Sequence, residues 1–161
     1  MAVVHLNPDP ELEIVLAADP AAVGEPAQSV RIRVQGRKHP QAADSSDGNW
    51  LVSPITVRVG GFVAEIAAGL RAEELVRFRE GLEHIAHYGS GTAVLHSIEE
   101  WLSLAVVLQP SGVLDVSGAA DDQPGIGNTL RFSLPPIDSA HLDEWVEALR
   151  DCETAYPPLA D

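Results

Sequence analysis

The rhythm of apolar and polar positions changes inside Gly60 to Tyr88, GGFVAEIAAGLRAEELVRFREGLEHIAHY. Up to residue 70, Phe62, Ala64, Ile66, Ala68 and Leu70 alternate with Val63, Glu65, Ala67 and Gly69, the spacing of a strand with one buried face. From Leu75 the apolar positions are Leu75, Phe78, Leu82 and Ile85, one stripe along a helix. Arg77, Glu80 and Glu83 fall away from that stripe. A helix striped in this way must lie on an apolar surface, and the strands around it are expected to supply one.

Alternation predicts further strands. Residues 11–18 turn Leu12, Ile14 and Leu16 (or Val15) inward, and residues 29–35 set Val30, Ile32 and Val34 against Arg31, Arg33 and Gln35. Residues 50–59, 92–98, 101–108, 113–119 and 129–134 read the same way, with Pro54 marking an edge or a bulge in the first of these. Gly60-Gly61 has the form of a two-residue hairpin turn. Asp47-Gly48-Asn49 and Pro110-Ser111-Gly112 are turn signals, and residues 19–28, 36–49 and 121–128 read as loops. Gly89 to Gly91 ends the helix. A last helix starts after Asp138 or Ser139, with Leu142, Trp145, Val146 and Leu149 as its stripe. The expected fold is α+β in a single domain over 1–161. It is a curved antiparallel sheet, partly open barrel or sandwich of about seven to nine strands, with two covering helices. Residues 1–10 and 155–161 are expected to be loose termini.

Composition narrows the function. At 161 residues, 45% hydrophobic and 21% charged, the chain has the make-up of a globular domain. No apolar run approaches the ~18 residues that cross a bilayer, and the opening MAVVHLNPDP lacks a secretion signal. A cytoplasmic protein with no membrane partner is expected. A single cysteine, Cys152, rules out an internal disulfide and any zinc site built on several cysteines; it reads as a half-buried small hydrophobe. The net charge of −14 argues against nucleic acid and for a basic partner. That charge is unevenly spread. Residues 31–79 hold eight of the ten basic residues against five acids, whereas residues 80–161 hold fourteen acids against Arg131 and Arg150.

Candidate chemistry is sparse. His84 and His87 are three apart on the helix but have no evident third ligand. His39, Asp44 and Asp47 share one loop beside Lys38, in no recognisable catalytic spacing. No phosphate loop, dinucleotide loop or nucleophile elbow occurs, so no cofactor, metal or catalytic residue is expected. Asp121 and Asp122 open the second loop, and Asp143, Glu144, Glu147 and Asp151 lie on the outer side of the last helix. Those acids, with Arg37, His39, Asp44 and Asp47 as a second set, are the candidate partner contacts.

One set of motifs resembles a known family. A strand V-R-I-R-V-x-G-R leads through a loop to Asp47-Gly48-Asn49-Trp50-Leu51 and then to L-R-A-E-E-L-x-R-F-R-E-x-L-E. Glu99 to Leu104 and Pro124 to Phe132 fit as well. Over roughly residues 29–150 this is similar to the WapI-type immunity proteins and their bacterial relatives. The acidic, proline-interrupted segment before Ser29 does not map onto the pattern. The resemblance implies a small antitoxin that binds the toxic domain of a polymorphic toxin, often a nuclease, and blocks it without catalysis. Asp47, Gly48 and Asn49 then form a structural turn and Trp50 enters the core. The alternatives are a small-ligand or enzymatic domain using the His39–Asp47 loop, and a structural module with no dedicated ligand.

Overall fold

A computed structural model describes residues 12–18 and 27–160. The first four-stranded sheet contains β1 (Leu12–Ala17), β2 (Ser29–Val34), β5 (Ile55–Val59) and β6 (Phe62–Ile66), antiparallel in the order β1-β2-β5-β6. A second, three-stranded sheet joins β3 (Gly36–Arg37), β4 (Trp50–Val52) and β7 (Gly69–Arg71). The third has the order β11-β10-β9-β8, from β8 (Thr92–His96), β9 (Leu102–Leu108), β10 (Val113–Asp121) and β11 (Thr129–Ser133), with β12 (Ile137–Asp138) also pairing with β10. The described residues also form three α-helices: α1 (Ser45–Gly48), α2 (Ala72–Tyr88) and α3 (Leu142–Ala155).

The α+β class and the antiparallel pairing are as expected, but the arrangement differs: among the described residues there are twelve strands in three sheets, none closed. The extra strands come from bending. Residues 50–71 form one long hairpin that crosses from the first sheet to the second, breaking at Ser53-Pro54 on one arm and Ala67-Ala68 on the other. Proline offers no N–H to a ladder, so the ladder yields there. Ser53, fully buried, repairs the break: its Oγ accepts from Leu70 N–H at 2.7 Å and donates to Leu51 C=O at 3.3 Å. Residues 1–10, expected as a loose end, lie outside the described residues.

The core follows the predicted stripes. Leu75, Phe78, Leu82 and Ile85 of α2 and Leu142, Trp145, Val146 and Leu149 of α3 are all buried, in one cluster with the inward residues of the sheets. Helix α2 packs on α3 and β8, and α3 packs also on β1. Gly89 ends α2 in the left-handed conformation (φ 70°), its N–H on Ile85 C=O at 2.9 Å, a geometry a residue with a Cβ adopts at a cost. Asp138 caps the turn of 3₁₀ helix leading into α3, accepting from Ala140 N–H at 2.8 Å. Cys152 is fully rather than half buried, because it continues the α3 stripe three residues past Leu149.

Three local expectations are corrected. Phe62 is 65% exposed despite its place in the alternation, since it stands at the hairpin tip beyond the reach of the core. Asp44 to Gly48 form a capped helical turn, with Asp44 Oδ1 accepting from Asp47 N–H at 3.0 Å, where a plain reverse turn was expected. Trp50 is half-buried: its ring lies 4.6 Å beneath the Arg71 guanidinium instead of inside the core.

Candidate partner-binding surface

The residues around Asn49 form a structural clasp. Asn49 is buried, and its side chain accepts from Leu159 N–H at 2.7 Å and donates to Leu159 C=O at 3.4 Å. Its own carbonyl receives Ala72 N–H at 2.9 Å, one of the unpaired donors at the start of α2. Arg37 donates to Gly48 C=O at 2.7 Å and Pro157 C=O at 2.6 Å. Arg71 donates to the carbonyls of Ser45 and Ser46 and pairs with Glu73. A Cβ on Gly48 would overlap Leu159 Cδ1 and lie 3.2 Å from Ala42 C=O. The segment after α3, expected to be loose, is therefore held against the motif at residues 157–159.

This placement changes the standing of several candidate residues. Arg37 spends its guanidinium inside the protein, and Asp44 is a helix cap. His39 and Asp47 are exposed. Among the described residues, no group of three His, Cys, Asp or Glu side chains could hold a metal, and His84 and His87 instead flank the Tyr88 ring at 4.5 and 4.6 Å. Asp122 closes the 121–128 loop, accepting from Asn128 N–H at 2.6 Å and Asn128 Nδ2 at 3.1 Å, and these bonds lower its pKa. Asp121 accepts from Thr129 Oγ1 at 2.6 Å.

The α3 acids behave differently. Asp143, Glu144, Glu147 and Asp151 are exposed. Glu144 lies 3.5 Å from His141 Nδ1. Asp143, Glu147 and Asp151 follow one another at four-residue steps and make no ion pair with any described residue. Their neighbour Arg150 is engaged by Glu83 at 2.7 Å, and Arg79 links Glu83 to Glu153 at 2.9 Å each. Burial alone would raise the Glu83 pKa, but the hydrogen bonds from Arg150 and Arg79 outweigh it and hold the carboxyl below its usual value. Between α2 and α3 lies an open cleft of about 450 Å³, lined by Glu83, His87, Asp143, Val146, Glu147 and Arg150. Tyr88, 65% exposed, lies outside this lining and packs its ring against His84 and His87. The sequence reading passed over Tyr88; its position off the α2 stripe, at the helix end, was the available signal.

Glu74 was also missed. It is 6% exposed at the first turn of α2, where Oε1 accepts from Ile98 N–H at 3.3 Å and Oε2 has no hydrogen-bond partner. Burial raises its pKa to about 7. It lies four residues before Phe78, on the border of the buried stripe.

The model of the WapI-like immunity protein family matches residues 23–157, most of the chain. The chain belongs to that family. The match to the WapI-like family begins before Ser29 and runs past residue 150; it includes the Asn49 motif and reaches Pro157, the first docked residue of the tail, but stops short of Leu159. No individual curated protein matches the chain. No helix among the described residues of this WapI-like immunity protein is long and apolar enough to cross a membrane.

Proposed function

We propose that this WapI-like immunity protein neutralises a basic toxin domain by covering its working surface, with no catalysis of its own. The observation that carries this reading is the row Asp143, Glu147 and Asp151, exposed and without counter-ions among the described residues. Like charges at i, i+4 cost a helix about 0.2–0.5 kcal/mol per pair. Asp143 is favoured by the N-terminal end of α3, but Glu147 and Asp151 bring the helix no such gain, whereas a partner rich in Lys and Arg gains from the whole row. A toxin that holds nucleic acid must carry such groups to bind phosphates, and an acidic face competes for them. His87, which lines the same cleft, adds ring contact area beside the acids.

The test is binding and inhibition with the cognate toxin domain. Calorimetry should show an affinity that weakens as salt rises from about 0.05 to 0.5 M. Replacing Asp143, Glu147 and Asp151 together by Lys should lower affinity about 100-fold or more and release toxin activity, with the variant still folding cooperatively on thermal unfolding. Undiminished inhibition by the triple variant would remove the acidic row from the interface. A folded wild-type protein that leaves the toxin active would end the reading altogether.

A further inference from the structure

One of the open sheet edges, at the end of the first sheet, has a chemistry that fits a second copy of the same chain. Strand β6 ends the first sheet, with no strand beyond it among the described residues. In a hairpin with a two-residue turn, the residues flanking the turn exchange both backbone hydrogen bonds. Val59 and Phe62 flank Gly60-Gly61, so Phe62, Ala64 and Ile66 direct their N–H and C=O groups to β5. Val63 and Glu65 then direct theirs outward, away from the sheet.

Two apolar side chains on this strand are exposed as well, while Ile66 belongs to the core. Phe62 is 65% exposed and Val63 57%, and they lie on opposite faces of the edge. Arg58, opposite Val63 in the register, and Glu65, opposite Thr56, are exposed and share the outer face. Neither makes an ion pair with a described residue. Arg31 and Arg33 lie farther along the same face, both near Glu13. This surface therefore escapes the negative charge that would drive two copies apart elsewhere.

We propose that two copies associate through antiparallel pairing of β6 about a two-fold axis at Ala64. Val63 then faces Glu65 of the other copy, and two such pairs form four backbone hydrogen bonds. Charge selects this register. Glu65 opposite its own copy would set like charges together, which is unfavourable. With Val63 opposite Glu65, the Arg58 side chain reaches across Val63 towards the other copy's Glu65. On the inner face, Phe62 covers the other copy's Ile66. The contact is smaller than the ~1,200 Å² of a standard interface, so the dimer is weak and concentration-dependent. This pairing is independent of the toxin-binding reading and uses a different surface.

Sedimentation equilibrium of the full chain tests it. The wild type should pass from monomer to dimer with rising concentration, up to about 1 mM. Val63→Glu should raise the dissociation constant at least about tenfold with an unchanged unfolding temperature, since Val63 is exposed. Arg58→Glu should weaken pairing, and Arg58→Glu with Glu65→Arg should restore it. Glu65→Ala separates this proposal from the opposite role, in which Glu65 guards the edge against pairing: here it weakens the dimer, as a guard its loss would strengthen it. A wild type that stays monomeric throughout, a dimer unaffected by Val63→Glu, or a dimer tightened by Glu65→Ala would each overturn the proposal.

Discussion

Glu74 makes a prediction that can be worked through. Its carboxyl is buried at the first turn of α2, with one oxygen on Ile98 N–H and the other unpaired. Burial is the largest influence and raises its pKa from 4.5 to about 7, against the opposing pull of the Ile98 hydrogen bond. An acid whose pKa is raised in the folded state favours folding only while protonated. Its contribution is whole below about pH 4.5, falls as pH rises, and is gone above about pH 7. At 1.36 kcal/mol per pKa unit, a rise of about 2.5 units corresponds to roughly 3 kcal/mol lost across that window. Glu74→Gln keeps the acceptor for Ile98 and cannot ionise. Urea unfolding of both proteins at intervals from pH 4.5 to 8 measures the difference in stability. The variant should gain on the wild type by roughly 3 kcal/mol between these limits, whatever the fixed offset from its unpaired amide group. The difference between the two proteins isolates Glu74, because every other titrating group is common to both. Parallel stability curves would show that Glu74 gives up its proton at the same pH in the folded and the unfolded protein, and that burial does not control it.

Two further outcomes follow from the fold. Asn49→Ala should cost about 2–3 kcal/mol in urea unfolding, for two lost hydrogen bonds and a buried backbone left unpaired; removing residues 157–161 should cost a similar amount, and the two changes together little more than either alone. Cys152 should resist alkylation in the folded protein at about pH 8 and react on unfolding, because burial, and then the neighbouring Asp151 charge, push its thiol to about 11.

Much of this protein was legible in its local patterns, and the reason is that periodicity is a local property. The alternation at Val30, Ile32 and Val34 and the stripes at Leu75–Ile85 and Leu142–Leu149 need only near neighbours to declare which face is buried. Gly60-Gly61, Gly89 and Asp138 likewise mark boundaries through their own backbone or side-chain preferences. The Asp47–Leu51 motif carried the family signature in the same way. What required the folded chain was contact across long stretches of sequence. Asn49 meets Leu159 from 110 residues away, and this meeting turns an expected loose tail into part of a clasp. Pro54 marks an irregularity in the sequence, but that Ser53 fills the bend there by bonding Leu70 and Leu51 is visible only in the fold. Trp50 leaves the core because Arg71 offers its ring a cation. Arg37 and Asp122, candidate partner contacts in the sequence, also hold backbone carbonyls and a loop in the fold. Polar side chains of this kind look alike in sequence; only the neighbours brought by folding decide whether they hold the protein together or remain free to meet another one.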